Sequence, residues 1–174
     1  PADTQETAVA WKHALLSQER PSALALTRQT LKELPKSKAQ NMNINKGGYI
    51  VFESSNKPDG IIIASGSEVS IALQAAMELK DKNLDIRVIS MPCQELYERQ
   101  STTYKNKCIP KNFDNILAVE SGKGQSWFKY IGKKGSMITM ESFGLSGTGN
   151  DVMRYFGFTV ANIKKQMQKL IKRK

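Results

Sequence analysis

The chain of 174 residues is long enough for one full hydrophobic core, or for one domain carrying a piece of another. Its 40% hydrophobic fraction is ordinary for a globular protein, its apolar runs fall far short of the roughly 18 residues a spanning helix needs, and its opening lacks the charged-then-apolar shape of a signal peptide, so it reads as soluble. The net charge of +10, from 26 Lys and Arg against 16 Asp and Glu, raises a polyanionic partner, but the lysines are scattered and no recognition motif accompanies them, which argues against nucleic acid.

The opening "PADT" has no methionine and runs at once into an amphipathic pattern, as expected for a piece of a longer protein. From Glu6 to about Gln18, apolar residues at Ala8, Val9, Trp11, Leu15 and Leu16 follow a helical stripe. Asp3 or Thr4 is positioned to cap that helix, and Glu6 supplies the early negative charge the helix dipole prefers. Pro21 stops the helix, and "SALALT" reads as a buried strand that delivers Arg28 to a sheet edge. A guanidinium there suits a bidentate grip on a phosphate, and it suits a surface ion pair equally well. Between Leu31 and Asn45 the composition turns polar with little periodicity, which predicts a linker and a domain boundary at residue 45.

After Lys46 five strands are predicted: "YIVFE" from Tyr49, "GIIIA" from Gly60, "IRVIS" from Ile86, "ILAVE" from Ile116 and "SMITM" from Ser136. Three are nearly continuous apolar runs, as in strands buried on both faces. Helices alternate with them. The clearest has its stripe at Val69, Ala72, Leu73, Ala76, Met77 and Leu79, with Ser67 as its N-cap. Shorter helices are expected over Gln94 to Gln100, Ser126 to Ile131 and Asp151 to Phe156, the last stopped by a left-handed Gly157. Thr159 caps a final helix with its stripe at Val160, Ile163, Met167, Leu170 and Ile171. The alternation predicts an α/β fold with a mostly parallel sheet and helices on both faces.

Several stretches carry candidate chemistry. The "SGSEV" turn puts a helix N-terminus at a strand end, where Ser67 and backbone N–H groups could hold an anion. It lacks the glycines of a dinucleotide fingerprint and the Gly-Lys of a P-loop, and Glu68 would repel a phosphate, so a structural corner is the stronger reading. "ESGKGQSWFKYIG" places Lys123 at another strand end as a candidate anion contact, although Trp127, Phe128 and Tyr130 read better as packing or as contacts to another subunit. "GLSGTG" from Gly144 departs from a nucleophile elbow at the residue after Ser146. Cys93 and Cys108 make neither a disulfide framework nor a CxxC pair and read as inert thiols of a reducing compartment, and with His13 as the single histidine no metal site is assembled.

Taken in order, "ETAVAWKHAL", "RPSALALTRQ", "IIIASGSEVSIALQAAMEL", "IRVISMPCQELYERQ", "YKNKCIP", "LAVESGKGQSWFKYIG" and "SFGLSGTGNDVMRYFGFTVANI" resemble the C-terminal third of the transketolase family. That resemblance implies a three-layer α/β/α fold with a five-stranded mixed sheet, mostly parallel with one antiparallel strand. It implies residues 1–45 as the end of the pyrimidine-binding domain plus linker, and residues 46–174 as the C-terminal domain. It further implies a cytoplasmic homodimer that moves a two-carbon ketol unit between sugar phosphates in the pentose phosphate pathway, with thiamine diphosphate and Mg2+ or Ca2+ held by parts of the longer protein outside this chain. On this resemblance the chain has no catalytic residue and is inactive alone, and Arg28 grips the sugar phosphate. A small-anion-binding regulatory or assembly domain and a basic nucleic-acid-binding module are the alternatives weighed. Where the family has Ser-Ala-Pro, this chain has Gly147, Thr148 and Gly149, which predicts a looser helix start. At Lys123 and Gln125 the surface chemistry also departs from the family's.

Overall fold

The alternating apolar and turn-forming segments build a sheet with helices packed on both faces, described for residues 1–173 by a computed structural model. In chain order the elements are α1 (Thr4–Leu16), α2 (Lys38–Asn43) running into a 3-10 turn (Ile44–Lys46), β1 (Tyr49–Phe52), β2 (Gly60–Ala64), α3 (Glu68–Lys80) and β3 (Ile86–Ser90). Then follow α4 (Gln94–Glu98), α5 (Thr102–Cys108), β4 (Ile116–Glu120), a 3-10 turn (Gly124–Trp127) continued by α6 (Phe128–Ile131), β5 (Ser136–Thr139), α7 (Gly149–Tyr155) and α8 (Val160–Ile171). The strand order is β1-β3-β2-β4-β5. β1 lies antiparallel to β3, with Tyr49 opposite Ser90, and the remaining pairings are parallel. All five predicted strands are therefore present in a mixed sheet with one antiparallel member.

The period of two along β2 separates the two cores. Ile62 and Ala64 face α3 and α8, together with Val69, Leu73, Leu79, Ile163 and Met167. Ile61 and Ile63 face the other way, against Tyr97 of α4, Cys108 of α5 and Trp127, Tyr130 and Ile131. Ile61, Ile62 and Ile63 are all fully buried, each adding about 1.5–3 kcal/mol of transfer free energy. That two-sided burial explains why the segment reads as a continuous apolar run. β1 is an edge strand, and its outer carbonyls are covered by a side chain: Gln40 Nε2 donates to the Val51 carbonyl at 2.7 Å and the Ile50 carbonyl at 3.3 Å.

Helix ends follow local chemistry with two surprises. Thr159 accepts from the Asn162 N–H as expected, and Gly157 has φ +83, the left-handed stop predicted after α7. Thr148 sets the start of α7 by accepting from the Asp151 N–H. Ser67 stands at the N-cap of α3 with helical φ and ψ and makes no cap bond; its hydroxyl donates instead to Glu68 Oε1 at 2.9 Å. The second surprise is α5, a helix not among those predicted, capped by Ser101.

One further expectation needs correcting. "SALALT" forms no strand: Pro21–Thr27 has no regular secondary structure, with Leu26 half exposed, because none of the described residues lies alongside to complete a ladder. The polar stretch from Leu31 to Asn45 holds α2, whose start is fixed by a capping box between Ser37 and Gln40, and it buries Leu34 and Ile44.

Candidate functional site

Arg28 stands at the apex of a bend. Thr27 Oγ1 accepts from the Gln29 N–H at 3.1 Å, which bends the backbone at Arg28. The guanidinium is exposed, and among the described residues it joins none of the ion pairs. It is thus offered outward, as a group that meets an anionic ligand must be.

The returning limb of this loop is fastened to the start of α1. Asp3 caps α1 by accepting from the Glu6 N–H at 2.9 Å, and its second oxygen accepts from the Leu34 N–H at 3.3 Å and from the ammonium of Lys36. Glu33 takes hydrogen bonds from the N–H and the hydroxyl of the adjacent Thr4. Glu6 then ties the base to the sheet. Its Oε1 accepts from Tyr49 Oη at 2.8 Å and Ser90 Oγ at 2.6 Å, and Oε2 accepts from the Ala2 N–H at 2.7 Å. Burial and the neighbouring Glu6 carboxylate push the Tyr49 phenol well above its ordinary range, so it is a donor only. From its position in the first turn, Glu6 reads as a partner of the helix dipole. The spacing Asp-x-x-Glu was the available signal, since it is that of a capping box, but the diversion of the glutamate to β1 and β3 exists only in three dimensions.

The other candidate positions gather at the C-terminal edge of the parallel strands. A cleft of about 310 Å³ is lined there by Ser65, Cys93, Glu120, Lys123 and Trp127, among others. It flanks the gap between β2 and β4, whose outgoing connections lead to opposite sides, β2 to β3 and β4 to β5, the usual ligand position in open α/β sheets. Its chemistry is acidic. Ser65 Oγ donates to Glu120 Oε2 at 2.8 Å, and Lys123 Nζ is engaged by the Glu141 carbonyl at 2.7 Å and its carboxylate at 3.4 Å. Ser67 lies off this cleft, beside Glu68, whose buried carboxyl is pushed above its usual value by burial. A carboxyl already stands at the start of α3, where an anion would bind.

The thiols of Cys93 and Cys108 are pushed upward by burial, which disfavours the thiolate a nucleophile needs. His13 is half buried on α1. Among the described residues no group of three His, Cys, Asp or Glu is placed to hold a metal ion, and no helix is long and apolar enough to cross a membrane.

Comparison with known proteins gives one consistent result. The transketolase of Bacillus subtilis is 40% identical over 98% of this chain, and that of Staphylococcus epidermidis 43% identical over the same share; in each case 26% of the relative is covered. The chain thus spans about a quarter of the length of the curated relatives it matches. A crystal structure of the Pichia stipitis transketolase in complex with sedoheptulose-7-phosphate superposes with a TM-score of 0.90 at 35% identity, covering 99% of this chain and 25% of that one. The family model described as "Transketolase-like TK C-terminal domain" matches residues 47–159, and the chain belongs to the transketolase C-terminal domain family.

Proposed function

We propose that this chain is the C-terminal part of a transketolase, with residues 1–45 closing the pyrimidine-binding domain and residues 46–174 forming the C-terminal domain. In the complete cytoplasmic homodimer, thiamine diphosphate and its divalent metal, held by other parts of the protein, supply the chemistry of ketol transfer between sugar phosphates in the pentose phosphate pathway. The role of this chain is binding and support. Arg28 grips the sugar phosphate, and the sheet domain buttresses the loop that presents it. The chain alone is inactive on this reading.

The observation that carries it is the outward guanidinium of Arg28, held at a turn by Thr27 and joined to none of the ion pairs of the described residues. The solved Pichia stipitis relative was obtained with a sugar phosphate bound, which gives the guanidinium a ligand of fitting chemistry. A charge-assisted contact of about 1.5–3 kcal/mol corresponds to roughly 10- to 150-fold in kcat/KM. In the full-length enzyme Arg28→Ala should lower kcat/KM for phosphorylated donors by that factor and leave unphosphorylated donors within about twofold. Equal losses for both kinds of donor would remove the assignment.

A further inference from the structure

We infer that Asp3 is a positioning residue for Arg28: it closes the loop bearing the guanidinium and sets the reach of that group toward a sugar phosphate. The inference rests on the phosphate-gripping role of Arg28 proposed above. Its basis is the geometry of residues 3–36, which leave through α1, turn, pass Arg28 and come back to Asp3. The side chains of Asp3 and Lys36 are 0% and 1% exposed, so their pairing is a fixed internal contact and not a surface ion pair. The same carboxylate caps α1 and accepts from Leu34, and Glu6, three residues on, is held by Tyr49 and Ser90 of the sheet.

Reach makes the coupling concrete. From Arg28 to Glu33 there are five residues, which extended span at most about 18 Å, so the guanidinium swings on a short tether from a point bonded to Thr4 at the start of α1. A second support lies on the other side: the Gln29 amide packs over Gly149 at the start of α7, where an added Cβ would touch it at 3.7 Å. For stability alone, an apolar set would serve as well as a buried charged pair, because desolvation offsets most of the attraction. What the pair adds is a single register for the returning limb, since Lys36 and Leu34 must both meet one carboxylate.

The test is a comparison of kcat/KM for phosphorylated and unphosphorylated donors in the full-length enzyme carrying Asp3→Asn, Lys36→Met, Glu33→Ala or Arg28→Ala, and Asp3→Asn combined with Arg28→Ala. Asp3→Asn keeps the shape and the cap oxygen while removing the charge that holds Lys36. The ratio of the two donors should fall about 3- to 10-fold, because a displaced contact loses part of its effect. The fall should vanish once Arg28 is already alanine, since the two then act through one contact. Glu33→Ala, on the exposed rung, folds in any case and should move the ratio the same way by a smaller factor. If the folded clasp variants leave the ratio unchanged, or if Asp3→Asn depresses both donors equally or adds fully to Arg28→Ala, the positioning role is overturned. If Arg28→Ala itself fails to discriminate, the phosphate reading falls first and this inference with it.

Discussion

Replacing Arg87 by Met removes a guanidinium from the middle of β3 while keeping most of its apolar stem. In the structure Arg87 is 5% exposed, and each of its nitrogens is used. Nε and Nη2 reach Glu53 Oε2 at 3.0 and 2.8 Å, and Nη1 donates to the carbonyls of Lys107 and Cys108 at 2.8 and 3.0 Å. Those two carbonyls end α5, so the guanidinium caps a helix C-terminus and complements its dipole. Two charge-assisted bonds to carbonyls lose about 1.5 kcal/mol each, and the Glu53 pair adds little because the Glu53 side chain is 32% exposed and regains water. Relief of the guanidinium's own desolvation offsets part of this, leaving a net loss of about 2 kcal/mol. With a urea m-value of about 2 kcal/mol/M, the midpoint should drop by roughly 1 M with m unchanged. Equilibrium unfolding followed by far-UV circular dichroism measures it, with Glu53→Gln as a control expected to lose about 1 kcal/mol or less. An Arg87→Met chain as stable as the parent would show that desolvation outweighs the capping, and the reasoning would be wrong.

Two further outcomes follow from the corners of the fold. Burial raises the folded-state pKa of Glu68 above its ordinary 4.5, so the folded chain binds that proton more tightly than the unfolded chain. The stability this gives is present below pH 4.5 and lost as pH rises through the raised value. Glu68→Gln avoids the loss, so its Tm relative to the parent should be more favourable at pH 7 than at pH 4, and a difference independent of pH would contradict the assignment. Gly157 has φ +83, and a Cβ there would sit 3.0 Å from Asn162 Nδ2, which bonds the Gly157 carbonyl at 2.9 Å. Gly157→Ala should cost about 1 kcal/mol, or roughly 2–4 °C in Tm, and an unchanged Tm would mean the left-handed turn is dispensable.

The elements with periodic burial were legible before any coordinates. Ile61 to Ile63, Ile86 to Ile89 and Ile116 to Val119 advertise strands buried on both faces, and Gly157 and Thr159 mark helix ends through local stereochemistry and a side-chain oxygen. These are decided within a few residues, so the chain alone determines them. α5 was not legible, because Thr102–Cys108 has no apolar stripe and is held by the cap at Ser101 and by the distant guanidinium of Arg87. "SALALT" has strand composition but no strand, since a ladder needs a second segment to accept its hydrogen bonds, and among the described residues none runs beside it. Arg28 could be singled out from sequence as a guanidinium following an apolar run, whereas the clasp of Asp3, Lys36 and Glu6 that holds its loop could not. Asp3 and Lys36 are 33 residues apart, and Glu6 and Ser90 are 84 apart. Burial makes such contacts exact in geometry, and burial is a property of the assembled sheet and helices that no local pattern encodes.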